Sequence, residues 1–239
     1  MNREEIRNIT SKKKYDIDDL KAIFAYLRSE NGCPWDRVQT HESIRGNLIE
    51  ETYEVVEALD KKDSHLLREE LGDLLLQVLF HSAMEEEEGR FSFNDVVSDI
   101  AAKLVNRHPH VFGDVSADDP EGALDAWEKA KVVEKKDRKT VKDKMAAVPP
   151  QLPSLMRAKK VYSKAIKGGY DIDNHLSAAK SALLKLSCAC GEATDKAEYE
   201  SLISDALTGI SALSAVMDID SEELLSRKTA EFIEKYPEN

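Results

Sequence analysis

The stretch that most constrains the fold runs over residues 48–80, where acidic side chains recur within two apolar helical patterns. Within each helical pattern acids are paired at a spacing of three or four residues, which puts them on one face of a helix. The acids are Glu50, Glu51, Glu54, Glu70 and Asp73. Residues 74–80 are apolar on almost every side, which predicts a central, buried second helix. Similar helical periodicity elsewhere, without β alternation, predicts an all-α helical bundle.

The break between the two helical patterns, residues 60–64, is polar and short, which predicts neighbouring antiparallel helices. Counted from the middle of this break, Glu54 and Glu70 lie about eight residues away on opposite sides, so they should stand at nearly the same height. Glu51 and Asp73, about eleven residues away, form a second matched pair. The count therefore predicts that four carboxylates converge in one layer.

The ends of the two acidic helices have candidate capping residues. Asp63 or Ser64 is suited to cap the second helix, and Thr40 or Ser43 to cap the first. The acidic run at residues 85–88 is interpreted as a solvated helix end, closed by a glycine and separate from the layer of carboxylates.

Clustered carboxylates repel one another, so they must take up protons or share a cation. All the ligands in this layer are hard oxygen donors, without cysteine or a Glu-x-x-His motif, which favours Mg²⁺ or Mn²⁺ over zinc or a di-iron centre. The alternative is a solvated helix face whose acids pair with Arg68, Lys61 or Lys62. Two pairs of acids at matched height, beside a strongly apolar helix, favour the metal site over the solvated face.

The wider pattern resembles the MazG family of all-α nucleoside triphosphate pyrophosphohydrolases. The matching segments, beside the acids of the two helices, are Gly32-Cys33-Pro34-Trp35-Asp36, Glu69-Glu70-Leu71-Gly72-Asp73, Glu88-Gly89-Arg90-Phe91 and Arg107-His108-Pro109-His110-Val111-Phe112. The resemblance is dense from about residue 20 to 160. It implies Mg²⁺-dependent hydrolysis of a nucleoside triphosphate between the α and β phosphates, possible nucleotide-pool housecleaning, and assembly as a homodimer.

In this interpretation Glu51, Glu54, Glu70 and Asp73 hold the metal. Glu50 is either the general base or a residue of the outer coordination sphere, and the sequence leaves both roles open.

Five other residues are candidates for substrate binding. Lys103 and Arg107 are four residues apart on a third helix and match the lysine and arginine that the family uses on the polyphosphate. Trp127 and Lys131 also match the family, in which such a tryptophan lies near the nucleotide. Trp35, on a loop before the acidic helices, could stack on a base or ribose, or could close the edge of the core.

Three segments are expected along the chain. Residues 1–144 form the catalytic domain, the proline-rich residues 145–153 a linker, and residues 154–239 a second, degenerate MazG-like domain, as in a tandem repeat. Aligning the two repeats places Leu202 where Glu70 stands, so the second domain is expected to bind no metal itself.

Composition excludes some partners. The net charge of −12 argues against nucleic acid, and no apolar run approaches the roughly 20 residues that a membrane span needs. The chain start has no apolar signal-peptide core, so a cytoplasmic location is expected, with Cys33, Cys188 and Cys190 reduced and the last two packed in a core.

Two further functions stay open. The same helical superfamily includes dUTP hydrolases and phosphoribosyl-ATP hydrolases with a similar acidic signature. A non-catalytic, metal-stabilised helical protein that binds nucleotides or regulates a partner would also keep the apolar patterns, although it has no need of costly clustered carboxylates.

Overall fold

The structure is a computed structural model, and it describes residues 3–134, 140–189 and 195–236. Within these ranges all regular structure is helical and no strand occurs, so the all-α prediction is confirmed. The chain divides into two compact units, Met1–Lys131 and Val132–Asn239. The helices are α1 (Arg3–Thr10), α2 (Ile17–Arg28), α3 (Pro34–Arg37), α4 (Arg45–Lys61), α5 (Ser64–Glu87), α6 (Phe93–Arg107), α7 (Pro109–Phe112), α8 (Pro120–Glu134), α9 (Val141–Ala146), α10 (Ser154–Lys167), α11 (Asp173–Ala189), α12 (Lys196–Met217) and α13 (Ser221–Lys235).

The first unit is organised around the helical hairpin of α4 and α5. The chain reverses at Lys62, whose φ of 53° is left-handed, and Asp63 then caps α5. The Asp63 carboxylate accepts hydrogen bonds from the backbone N–H groups of His65 (2.9 Å) and Leu66 (3.1 Å). This short reversal makes α4 and α5 neighbouring antiparallel helices that pack along their length.

The C-terminal half of α5 lies at the centre of the first core. Helices α2, α4 and α6 all pack against α5. The buried cluster consists of Phe24, Ile44, Leu79, Phe80, Met84 and Phe93. The apolar run on α5 thus fixes the hairpin against the rest of the unit, while its acidic N-terminal half stays at the edge of this core.

Two expectations about helix ends in this unit are wrong. Helix α4 has Ile44 at its N-cap and no side-chain cap, because Thr40 and Ser43 hydrogen-bond to each other instead. Helix α5 continues to Glu87, and its acidic end is not simply solvated. Glu87 accepts two 2.7 Å hydrogen bonds from the Arg28 guanidinium, so it anchors α5 to α2.

The breakers Pro109, Gly113, Pro120 and Gly122 predict a loop over residues 108–125, but this connection is partly helical. It contains the short helix α7, and α8 already begins at Pro120. The sequence also predicts a charged helix from Trp127 through about Lys139. The structure describes this helix as far as Glu134, and residues 135–139 lie outside the described ranges.

The second unit includes the segment expected to be a linker. Helix α9 packs against α10, and Val148 between them is only 3% exposed, so residues 145–153 belong to a packed structure. A small core surrounds Ala182, Leu202 and Ala206. Cys188 is exposed, contrary to its expected core position, and Cys190 lies outside the described residues.

No single described helix is both long and apolar enough to cross a bilayer. One pair, α12 with α13, meets the criteria jointly by length and composition only, and is bent by 115°.

Candidate active site

Three acids of the α4–α5 hairpin meet in one cluster. Glu51 projects from α4, and Glu70 and Asp73 project from α5. One carboxylate oxygen of each lies within 4.8 Å of the others. The cluster arises because the hairpin reverses at Lys62, so that residues equally far from the reversal face each other across the two helices.

Glu54 lies near this cluster without being one of its three members, and Glu50 is exposed. Glu54 shares a hydrogen bond with Glu51, and its charge acts on Glu70. Glu50 is exposed and lies outside the three-residue cluster. The structure therefore brings together three of the four acids assigned to the metal, with Glu54 close enough to affect two of them, and leaves Glu50 exposed.

The electrostatics of the group are unfavourable without a cation. Burial raises the pKa of Glu51, and the hydrogen bond with Glu54 and the charges of the nearby acids raise it further. The pKa of Glu70 is also raised, first by burial and then by the charge of Glu54 and other acids. Both shifts mean that the protein disfavours the charged forms here, as expected where carboxylates converge.

The alternative of simple ion pairing finds little support in the described residues. Lys61, one of the proposed partners, pairs with Glu57 at 2.6 Å and not with one of the three clustered acids.

The donor set fits a hard divalent cation. Mg²⁺ binds oxygen at about 2.0–2.1 Å, so two ligands on opposite sides of one ion lie about 4.2 Å apart. The three oxygens lie within 4.8 Å of one another, so small side-chain rotations are enough to place them around one ion. The described atoms of this cluster are all carboxylate oxygens, which suit Mg²⁺ or Mn²⁺ better than zinc.

The cationic residues on α6 and α8 gather around an indole ring. The guanidinium carbon of Arg107 lies 5.4 Å from the Trp127 ring centroid, and Lys131 Nζ lies 4.2 Å from it. These contacts unite three of the residues predicted to bind substrate. Lys103 is exposed, and no described carboxylate is within ion-pair distance of its ammonium group.

Trp35 lies on the short helix α3, where the sequence predicted a loop. Its ring meets the buried Phe80 edge-on at a centroid distance of 6.3 Å, yet 57% of the residue remains exposed. Arg28 donates a 2.6 Å hydrogen bond to the backbone oxygen of Asp36 and so anchors this segment. Trp35 therefore covers the edge of the core and also presents an accessible aromatic surface.

The chain is similar to known proteins over the helices that carry the acidic cluster. The family model described as the MazG nucleotide pyrophosphohydrolase domain matches residues 39–112, which include all of α4, α5 and α6. The chain is 37% identical over 220 residues to the nucleoside triphosphate pyrophosphohydrolase/pyrophosphatase MazG of Thermotoga maritima, covering 92% of this chain and 84% of that protein. This chain belongs to the MazG family.

Other MazG relatives align over shorter regions. The nucleoside triphosphate pyrophosphohydrolase of Escherichia coli K12 is 46% identical over 156 residues, which is 65% of this chain and 59% of that protein. The nucleoside triphosphate pyrophosphohydrolase of Mycobacterium tuberculosis is 42% identical over 153 residues, which is 63% of this chain and 45% of that protein.

One polar network of this MazG chain was missed by sequence reasoning. His41 Nδ1 and His81 Nδ1 are 2.7 Å apart, with their rings stacked, and His41 Nε2 lies 2.8 Å from Glu85. Arg90 donates two hydrogen bonds to the same Glu85 carboxylate. Burial lowers the pKa of His81, and the neighbouring His41 lowers it further.

This network ties the segment before α4 to the end of α5. It also corrects the interpretation of Glu85 as a solvated residue. The only sequence signal was a pair of histidines, His41 and His81, at comparable distances from the hairpin turn.

Proposed function

We propose that this chain hydrolyses nucleoside triphosphates to nucleoside monophosphate and pyrophosphate. The observation that carries the proposal is the convergence of Glu51, Glu70 and Asp73 within 4.8 Å on the α4–α5 hairpin. Relatives named nucleoside triphosphate pyrophosphohydrolases support it, whereas the dUTP hydrolase, phosphoribosyl-ATP hydrolase and regulator alternatives gain no support from those names.

The acidic group would hold Mg²⁺, with Mn²⁺ as a substitute. Glu51, Glu54, Glu70 and Asp73 are the proposed ligands. The bound cation would neutralise phosphate charge and lower the pKa of an attacking water. Glu50, beside the cluster but exposed, is the proposed base or a residue of the outer coordination sphere.

Substrate binding is assigned to the cationic and aromatic side chains. Lys103 and Arg107 would stabilise the charge that develops on the leaving pyrophosphate. Trp127, which contacts Arg107 and Lys131, would bind the nucleotide together with those cations. Trp35 offers its exposed indole face to a base or ribose.

The remaining proposals concern assembly and the second unit. Exposed apolar residues on α4 and α6, such as Ile49, Tyr53, Ile100 and Leu104, support a homodimer that covers them. A degenerate repeat in the second unit is supported by Leu202, which is buried among apolar residues at the position aligned with Glu70.

The deciding experiment measures pyrophosphate release from a panel of triphosphates, with Mg²⁺ and with excess chelator, and identifies the nucleotide product. We expect monophosphate and pyrophosphate only when metal is present. Diphosphate and phosphate would place the cut elsewhere. Metal-dependent binding without any turnover would instead support the regulator.

Variants connect this activity to the cluster. Glu54→Gln keeps the side-chain size and removes one charge, and we expect at least about a hundredfold loss of turnover, or about 2.7 kcal/mol in the barrier. Glu86→Gln on the exposed side of α5 is the matched control and should stay near the unaltered rate. A Glu54→Gln rate within about threefold of the unaltered chain would exclude Glu54 as a ligand.

A further inference from the structure

The second unit contains a cavity that the proposed reaction does not use. Its volume is about 510 Å³, within the range of about 300–1,000 Å³ that is typical of small-molecule sites. One side is formed by the segment from Met145 to Leu152, another by a face of α10, and the third by Tyr170 and His175. All of these residues lie in the second unit.

The turn after α10 forms the aromatic side of the cavity. Gly169 has a φ of +88°, and the Tyr170 N–H donates a 3.0 Å hydrogen bond back to the Ala165 carbonyl. A Cβ on Gly168 would collide with Val141 of α9, so this glycine lets α9 and the turn approach closely. The reversal brings Tyr170 back beside α10.

Three aromatic rings meet on that side. The Tyr170 hydroxyl and His175 Nε2 are 2.9 Å apart and within hydrogen-bond distance. The rings of Tyr162 and His175 meet edge to face, with centroids 5.3 Å apart and an interplanar angle of 72°. Tyr170 itself is half exposed, which leaves part of its ring available to a planar ligand.

The charge of the cavity is positive in an acidic chain. The lining contains Arg157 and no carboxylate, although the chain carries a net charge of −12. Arg157 is exposed, and no described carboxylate lies within ion-pair distance of its guanidinium. A free guanidinium at the rim of an apolar and aromatic cavity is suited to a phosphate group.

We propose that this cavity binds a nucleoside monophosphate. The base lies against Tyr170 and Tyr162, the ribose against the apolar face of α10, and the phosphate against Arg157. His175, Ser154 and the tyrosine hydroxyls offer polar partners to the heteroatoms of the base. One guanidinium matches a single phosphate better than a triphosphate, which would leave most of its charge unpaired. The lining residues all belong to the second unit, and the proposal does not depend on the proposed reaction.

The test titrates the full chain with AMP, GMP, CMP and UMP in excess chelator, by calorimetry, using the Glu70→Gln variant. The chelator and the Glu70→Gln substitution prevent metal binding and turnover at the acidic cluster. The result of the titration therefore does not depend on whether the chain hydrolyses triphosphates. We expect saturable binding of at least one monophosphate with one site per chain. Its nucleoside should bind more weakly, and inorganic phosphate should not compete at equal concentration.

Two substitutions locate the site. Arg157→Gln should weaken monophosphate binding about tenfold or more, the loss expected for a charge-assisted hydrogen bond, and should leave nucleoside binding nearly unchanged. Tyr170→Leu should weaken both ligands. Arg227→Gln, a substitution of an exposed arginine on α13, is the matched control and should change neither.

Several outcomes would overturn the proposal. They are the absence of monophosphate binding at millimolar concentration, binding that survives both substitutions, equal binding of inorganic phosphate, and tighter binding of benzoate, an aromatic carboxylate that lacks base heteroatoms. Circular dichroism of each variant checks that α-helix content is kept, so that a lost signal reflects the cavity.

Discussion

Replacing Glu70 by glutamine should uncouple the stability of this protein from divalent metal. In the metal-free chain burial and the charge of Glu54 raise the pKa of Glu70, so its negative charge is unfavourable in the fold. Glu70→Gln removes that charge and keeps the size of the side chain. In chelator the variant should therefore melt at a higher temperature than the unaltered chain, while losing one oxygen donor of the cluster.

The size of the metal effect follows from linkage. At a free Mg²⁺ concentration of a hundred times Kd, binding stabilises the folded state by about 2.7 kcal/mol. A unit of the length of Met1–Lys131 has an unfolding entropy of about 0.28 kcal/mol/K, from about 2.1 cal/mol/K per residue, so its Tm should rise by about 10 °C. The Tm of the Glu70→Gln variant should rise by only a small fraction of that amount at the same Mg²⁺ concentration.

The pH dependence gives a second, independent check. A carboxyl group whose pKa is raised by folding binds its proton more tightly in the folded state, so it costs stability at neutral pH. That cost disappears as the pH falls through the raised pKa toward the ordinary glutamate value of 4.5. The Tm advantage of Glu70→Gln in chelator should therefore be present at pH 7 and shrink on acidification.

The assay is differential scanning calorimetry with Mg²⁺ titration and chelator controls, with Glu86→Gln on the same helix as the matched substitution. An unaltered Mg²⁺-induced Tm rise in Glu70→Gln would show that Glu70 is not a ligand. A lower Tm than the unaltered chain in chelator would refute the electrostatic reasoning.

Further substitutions test packing and substrate binding. Trp127→Leu removes the ring that contacts Arg107 and Lys131. The KM for the preferred triphosphate should rise about fivefold or more, as expected for a lost base–aromatic contact. The effect on kcat should be smaller. Steady-state kinetics measure this, and a change confined to kcat would contradict the binding role. In a urea titration, Gly209→Ala should lower the free energy of unfolding by about 1–3 kcal/mol. The added Cβ on α12 would collide with Ala179 on α11. Gly72→Ala, where no neighbour lies within 4 Å, should be neutral or stabilising by about 0.4–1 kcal/mol in the same urea titration. Equal effects of the two glycine substitutions would contradict this packing argument.

The sequence was sufficient to predict structural features that depend on residues close together in the chain. The hairpin follows from a short break, an N-capping aspartate and two helical periodicities. Counting residues from the middle of the break was therefore enough to predict that Glu51 and Asp73 meet. Such local geometry varies little between proteins because the helical rise and the length of the turn fix it.

The sequence could not predict features that depend on distant partners. Glu85 and Glu87 looked like a solvated run because their partners, His41 and Arg28, lie more than forty positions away along the chain. The burial of Val148, within the segment predicted to be a linker, could not be predicted for the same reason. Prolines indicate where a helix cannot continue but not whether the chain is buried.

The location of the acidic cluster on a single hairpin has a consequence for folding. Residues 51 and 73 are brought together by one short reversal, so the chain entropy lost in forming the cluster is small compared with that of a site gathered from several helices. Mutual repulsion of the acids then opposes docking of α4 on α5 until a cation or protons arrive. Divalent metal should therefore slow amide hydrogen exchange most strongly near the turn at Lys62, and less strongly in α2 and α6.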